Sequence, residues 1–331
     1  MFKDKVILVT GGTGSWGQEL TRHLLRENPR EIRIFSRNES AQVMMKRTFD
    51  HSRIQFRVGD VRDLEAVMEA CRGVDVVFHL AALKHVPVCE MQPDEALKTN
   101  VTGTENIIKA SIYHEVEKVV DVSTDKAVDP INFYGMSKAF GEKLLIRGND
   151  LGSKTRFVCI RGGNVLGTSG SVVPLFKQCI LSGKDLPITS KEMTRFFLTI
   201  QEAISLLLRA ASVSVGGETF VMKMKTCRII DLAHVLMKKL GARSATAIKE
   251  IGIRPGEKLH EVLVSSNEAP RTYRYSKQYF VILPYTYSSQ LLERYSSLPK
   301  IDFKQYDSNA NFMSHEEIGE LLVKSGLLQG E

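Results

Sequence analysis

The chain has 331 residues, 43% of them apolar, and 45 lysines and arginines against 38 acidic residues give it a net charge of +7. That much apolar material excludes global disorder and supports one large or two interlocked folded units. The basic balance suits an anionic partner, yet no lysine/arginine block interleaved with aromatics marks a nucleic-acid stripe, so a phosphorylated small molecule explains the charge more economically.

Residues 6–10 read as a first β-strand, and the run is too brief to be a signal-peptide core. Directly after it, Gly11, Thr13, Gly14, Ser15, Trp16 and Gly17 form a turn with glycines at three-residue intervals, followed by a helical pattern starting near Trp16. Glycines there permit positive φ, let the backbone approach a pyrophosphate and let the helix pack closely on the strand. Its N-terminal N–H groups would face the phosphates. Alone such glycines could make only a tight turn; strand before and helix after turn the reading toward a dinucleotide.

Residues 32–36 predict the second strand, ending in Ser36, Arg37 and Asn38 with no acid at the tip. An Asp or Glu there would bind a ribose 2′-hydroxyl, whereas a basic residue accepts a 2′-phosphate, so NADP is expected over NAD. The bland reading of Arg37 is a solvated loop charge. Residues 54–59 predict the third strand, after which Asp60 and Val61 would meet the adenine, although Asp is also ordinary turn chemistry. Residues 76–80, 118–123 and 157–160 continue the series, with Ala81 just past the fourth strand and further helices starting near Leu64, Pro93 and Tyr134.

This alternation predicts an α/β fold, a Rossmann-type doubly wound parallel sheet over residues 1–165. Beyond it Gly and Pro punctuation is denser, and residues 166–331 read as a smaller mixed α/β domain mainly for substrate, with segments around 195–225 returning to the first domain. The apolar stretch 196–215 is interrupted by Gln201, Glu202 and Arg209 and cannot span a bilayer. Five widely spaced cysteines, without a close pair, read as reduced thiols in a cytoplasmic protein, with no metal site expected.

The densest chemical signal is Thr124, Asp125 and Lys126 at the end of the fifth strand, followed by Tyr134 and Lys138. Four residues apart on a helix, Tyr134 and Lys138 share a face. The ammonium should lower the phenol pKa toward neutrality and make Tyr134 a base for a sugar hydroxyl. Such a pair also occurs by chance on surface helices; Thr124 upstream favours function.

Together with Asn100 in Thr99-Asn100-Val101-Thr102-Gly103-Thr104, these residues resemble an extended short-chain dehydrogenase/reductase. Further segments resemble its UDP-N-acetylglucosamine 4,6-dehydratase branch in polysaccharide biosynthesis: Ala81-Ala82-Leu83-Lys84-His85-Val86-Pro87, Gly163-Asn164-Val165, Gly170-Ser171-Val172-Val173-Pro174, Met193-Thr194-Arg195-Phe196 and the run from Gly252 through Arg254, Glu257 and His260 to Glu261. The likeness spans residues 5–265 or so.

The resemblance implies a sequence of steps. Tyr134 takes the C4 hydroxyl proton as C4 is oxidised, Lys126 removes the C5 proton, and protonated Asp125 releases the C6 hydroxyl as water before the hydride returns to C6. Lys126 would need a pKa lowered by desolvation and by the neighbouring Lys138. Tyr134, Lys138 and Val165 would also touch the NADP. Lys84, Asn100, Asn164, Val173, Arg254 and Glu257 would line the pocket for UDP-N-acetylglucosamine or a close UDP-sugar, Arg254 suiting a diphosphate. His85 and His260 are weaker candidates for a direct role.

Gly162 and Ser169 depart from the tyrosine and arginine that many members of the branch carry there, which bears on substrate contacts. The branch includes both stereochemical outcomes with the same Asp-Lys pair, and Tyr134 beside that pair tilts the expectation to inversion at C5. A soluble homo-oligomer is expected, with neither membrane nor nucleic acid as partner. The competing readings are a UDP-hexose 4-epimerase, which would not need the Asp125-Lys126 couple, and a non-catalytic NADP-binding sensor or scaffold on the same fold.

Overall fold

In the computed structural model, which describes residues 1–167, 171–242, 246–286 and 288–328, the first half of the chain alternates strand and helix. The order is β1 (Val6–Thr10), α1 (Ser15–Arg26), β2 (Glu31–Ser36), α2 (Glu39–Phe49), β3 (Ile54–Val58), α3 (Leu64–Cys71), β4 (Val76–His79), α4 (Val86–Met91), α5 (Pro93–Leu97), α6 (Gly103–Tyr113), β5 (Lys118–Thr124), α7 (Phe133–Arg147) and β6 (Arg156–Gly162). There follow β7 (Asn164–Val165), α8 (Val172–Leu181), β8 (Leu186–Ile188), β9 (Thr194–Leu198), α9 (Ile200–Val213), β10 (Thr219–Met222), β11 (Lys225–Arg228) and α10 (Ile229–Leu240). The last elements are β12 (Ile248–Glu250), β13 (Val262–Val264), β14 (Thr272–Arg274), β15 (Tyr279–Ile282), α11 (Ser289–Tyr295), β16 (Tyr306–Asp307) and α12 (His315–Lys324).

The main sheet has nine strands in the order β14-β15-β10-β6-β5-β4-β1-β2-β3. From β10 to β3 every pairing is parallel; β15 and β14 add an antiparallel edge. The inner strands are mostly apolar and almost wholly buried because helices cover both faces, with Asp121 on β5 and Arg161 on β6 as buried charges. In β1 the side chains alternate: Ile7 and Val9 enter one core with Leu20, Leu24, Ile204 and Leu207, while Val6 and Leu8 enter the other with Val77, Ile107 and Leu145. This is the expected doubly wound parallel fold, and the edge pair β14–β15 is an addition that the alternation pattern did not announce.

Residues after 165 serve two units. β10 lies beside β6, and α9 packs on α1. In contrast, β9 joins β7 and β11 in a separate small sheet. Helices α8, α10 and α12 enclose a third core containing Phe176, Phe197, Leu232, Leu236 and Leu322. Pro93 at the start of α5 separates it from α4, since a proline inside a continuous helix would remove a hydrogen bond and clash. Between α5 and α6 a π-helical turn, Lys98–Thr102, carries Asn100.

One buried ion cluster ties these layers together. Arg161 on β6 donates from Nε and Nη2 to Glu142 at 2.8 and 2.6 Å, from Nη1 and Nη2 to Glu268 at 2.9 Å each, and from Nη1 to the Leu263 carbonyl at 3.2 Å. All five guanidinium donors are thereby used. Arg161 and the nearby Ser265 N–H hold the Glu268 carboxyl down to about 2 despite its burial.

Candidate active site

A cleft of about 770 Å³ runs across the C-terminal ends of the parallel strands. One wall is the turn after β1. Gly11 has φ +64°, and a Cβ on it would lie 2.9 Å from the Ala81 backbone; a Cβ on Gly17 would lie 2.3 Å from the Gly12 carbonyl oxygen. Neither position accepts a side chain without moving backbone. Gly14 precedes α1 without a side-chain cap, leaving first-turn N–H groups for an anion. Thr13, Ser15, Trp16, Ser36, Arg37, Asn38, Asp60, Val61, Ala81 and Val165 also line the cleft. This uncapped, close-approach cradle fits a nicotinamide dinucleotide.

The turns beside it are tightly organised. The Asn38 side chain accepts from Ala41 N–H and caps α2, and buried Gln42 donates to Ser36 and to the Arg57 carbonyl. Asp60 accepts from Arg62 N–H and Nε at 3.0 and 2.8 Å, so much of its capacity is taken. Arg37 is half exposed and, among the described residues, makes only a 3.8 Å approach to Asp60.

The reaction centre forms where β5 ends. Thr124 Oγ1 donates to Asp125 Oδ1 at 3.0 Å and accepts from Lys126 N–H. Its hydroxyl also faces Tyr134 on α7 and favours the phenolate. Lys126 Nζ donates to Asp125 Oδ1 at 3.0 Å and approaches Glu261 Oε1 at 3.4 Å; Arg195 Nε stands 3.6 Å from that same oxygen. Asp125 is fully buried, yet its Oδ2 has no hydrogen-bond partner among the described residues; the same holds for Glu261 Oε2. Unpaired carboxylate oxygens in such positions are costly.

Two expected pKa shifts run the other way. Burial pushes the Tyr134 phenol up and outweighs the opposing pull of Lys138 and Lys126. The nearby Asp125 carboxylate adds to the effect of burial; Asp121, whose two oxygens lie 3.1 Å from Lys138 Nζ, holds the Lys138 ammonium. Lys126 is raised, not lowered, because Asp125 and Glu261 together overcome burial and the repulsion of Arg195. It rests as an ammonium.

At the substrate end, Lys84, Asn164, Arg254 and Glu257 line the cleft. Asn164, Arg254 and Glu257, with Arg195, also line an adjoining cavity of about 520 Å³. Desolvation lowers the Lys84 ammonium. Two expected contacts are corrected. Asn100 is 1% exposed and does not line the cleft: its Oδ1 accepts from Leu83 N–H, and its Nδ2 donates to the Leu83 carbonyl and Ser137, so it fixes the segment that carries Lys84. Val173 is fully buried in the third core, because the pitch of α8 turns it inward while Val172 and Pro174 face the cavity.

His260 bonds Thr194 through Nδ1, while His85 lines the cleft. Gly162 lines it too; Ser169 lies outside the described residues. Sequence reasoning gave no role to Asp121, Arg195 or Glu261, and no spacing could have found them: they come from β5, β9 and the loop before β13. Elsewhere Asp231, His234 and His315 cluster, but Arg228 already holds the Asp231 carboxylate at 2.7 Å.

Residues 7–283 match the family described as polysaccharide biosynthesis protein. The chain belongs to that family. It is 44% identical over 288 residues to a UDP-N-acetylglucosamine 4,6-dehydratase (inverting) of Campylobacter jejuni, covering 86% of this chain and 84% of that protein. It is also 40% identical over 341 residues to a UDP-glucose 4-epimerase of Rickettsia typhi, covering 100% and 99%. Among solved structures, Pen from Bacillus thuringiensis matches with a TM-score of 0.92 and 36% identity over 99% of each chain. The resemblance to the extended short-chain dehydrogenase/reductase dehydratases is thus borne out, and the chain is an enzyme with nucleotide-sugar dehydratases and epimerases among its relatives. Among the described residues no helix is long and apolar enough to cross a membrane.

Proposed function

We propose that the protein is an NADP-dependent UDP-N-acetylglucosamine 4,6-dehydratase forming a UDP-4-keto-6-deoxy-N-acetylhexosamine inverted at C5. The observation that carries this reading is the buried Oδ2 of Asp125, without a hydrogen-bond partner among the described residues, beside Lys126, both residues in the cleft that Tyr134 lines. Oxidation at C4 alone needs Tyr134, Thr124 and Lys138. A second, acid-and-base pair is what elimination of water requires in addition. The Campylobacter relative, named as inverting, supports both the substrate and the outcome at C5.

A bound nicotinamide dinucleotide supplies the acceptor for hydride from C4 and its donor back to C6. Tyr134 acts as the phenolate, which Lys138 and Lys126 stabilise against burial and Thr124 orients, and takes the C4 hydroxyl proton to become the phenol. The new ketone acidifies the C5 hydrogen. Transfer of one proton from Lys126 to Asp125 turns the resting ion pair into a free amine and a carboxylic acid without changing the total charge. Lys126 then takes the C5 proton while Asp125 protonates the departing C6 hydroxyl, restoring the ion pair.

The second reading is a UDP-hexose 4-epimerase, favoured by the Rickettsia relative. A mass spectrum after incubation with UDP-N-acetylglucosamine separates them. Loss of one water is the expected result; an isomer of unchanged mass would establish the epimerase and leave Asp125 and Lys126 without their assigned roles.

A further inference from the structure

The dehydratase reading gives Lys126 the C5 proton but leaves unexplained the second acid that faces its amine. Glu261 lies 135 positions along the chain from Lys126. It is 2% exposed, lines the cleft, and sets Oε1 3.4 Å from Lys126 Nζ. Its backbone is clamped: Glu261 N–H donates to Ser308 Oγ at 2.9 Å, and its carbonyl accepts from Ser308 N–H at 2.8 Å. The side chain is therefore presented from a fixed point. A purely structural carboxylate at this depth would have both oxygens bonded, as Glu142 does with Arg161. Oε2 of Glu261 instead lacks a partner among the described residues.

We propose that Glu261 is a positioning residue for elimination: with Asp125 it brackets the Lys126 amine, aims it at the sugar and sets the pH range over which the Asp125–Lys126 pair keeps its single working proton. This rests on the dehydratase reading. In the step concerned the C5–H bond breaks and its proton passes to Lys126 Nζ. The electron pair forms the C5–C6 double bond, and the C6–O bond breaks as Asp125 gives that oxygen a proton, releasing water.

Every charge facing Lys126 enters this balance. Asp125 precedes it in the chain, Glu261 and Lys258 come from the loop before β13, Arg195 from β9 and Tyr134 from α7. Of these, Asp125 and Glu261 hold the ammonium, and Arg195 opposes it while steadying Glu261. Removing the Glu261 charge makes the ammonium easier to deprotonate. The alkaline limb of the elimination rate, where the pair loses its one proton, must then move to lower pH. Those limbs belong to the pair as a whole.

The test uses the purified holoenzyme with UDP-N-acetylglucosamine in deuterium oxide, following C5 deuterium, water loss and the absorbance of reduced cofactor. Glu261→Gln should still oxidise C4, lose about tenfold in C5 exchange through misplacement of the amine, and show its alkaline limb about one to three pH units lower. Glu261→Asp, which keeps the charge on a shorter arm, should return the limb toward its wild-type position while exchange stays slow. A limb that does not move in Glu261→Gln, in a background where Lys126→Ala blocks exchange, overturns the inference and spares the dehydratase reading. Wild-type exchange in Lys126→Ala would instead overturn the role of Lys126, and that of Glu261 with it.

Discussion

Two clusters of buried charge lie side by side at the C-terminal ends of β5 and β6, where Ser123 is in register with Arg161 and Thr124 with Gly162. Around Arg161 every guanidinium donor is matched to Glu142, Glu268 or a carbonyl. Around Lys126 two acids, Asp125 and Glu261, face Lys126 and Arg195 with Lys258 close by, but Asp125 Oδ2 and Glu261 Oε2 have no hydrogen-bond partner among the described residues. A completed network can only hold the fold. An incomplete one in a cleft stores capacity for a ligand's hydroxyls and protons. The two are mechanically linked, since residues 261–268 supply Glu261 to one and Leu263 and Glu268 to the other.

The largest effect should come from disabling the open cluster's partner without touching the closed one. Tyr134→Phe removes only the phenol oxygen, so turnover should fall by about 10²–10⁴ while the cofactor remains bound and the unfolding midpoint barely changes. Substantial residual turnover would mean that another base takes the C4 hydroxyl proton. Next in size, Arg161→Ala attacks the closed cluster and leaves two buried carboxylates without their cation. Its cost should be about 3–5 kcal/mol of stability, read from chemical denaturation. A loss well under 1 kcal/mol would deny that this cluster holds the layers together.

Acid provides a gentler separation of the same two clusters. The Glu268 carboxyl is depressed in the folded protein to about 2 from an ordinary 4.5. A depressed acid contributes stability that is fully present above its unfolded value and fades as pH falls toward the folded one. Wild-type stability should therefore drop between about 4.5 and about 2 more steeply than that of Glu268→Gln. Parallel curves for the two proteins would assign the acid sensitivity elsewhere.

The sequence carried the parallel strands because fully buried β-branched runs such as residues 6–10 have few alternatives, and it carried the cofactor turn because Gly11 and Gly17 stand where a Cβ would meet backbone. Thr124, Asp125 and Lys126 were legible as neighbours in the chain. Asp121, Arg195 and Glu261 were not, because a pKa depends on charges that only the fold brings near. The shift at Lys126 runs opposite to the expected one for that reason, and that at Tyr134 because the fold buries the phenol. Asn100 and Val173 misled for a related cause: a position within a recognisable motif does not say which way its side chain turns, and both turn into the protein.

The smallest effect sharpens the criterion at an exposed site. Asp60 is largely satisfied by Arg62, through N–H, Nε and a 2.7 Å contact from Nη2, whereas Arg37 beside it has, among the described residues, only the loose 3.8 Å approach. By the reasoning applied to Asp125, a cation in the cleft without a close partner among the described residues is free to take an anion; under the proposed NADP dependence that anion is the 2′-phosphate. The cluster is open to water, so the interaction is screened and worth less than a buried one. Arg37→Ala should then weaken NADP binding by about 1–2 kcal/mol, roughly 5- to 30-fold, and leave NAD binding almost unchanged because NAD has no phosphate there. Titration of the apoenzyme with each dinucleotide at low and high salt measures both, and the wild-type preference for NADP should shrink as salt rises. Equal losses for NAD and NADP would make Arg37 a plain surface charge and confine the rule of incomplete pairing to the buried cluster.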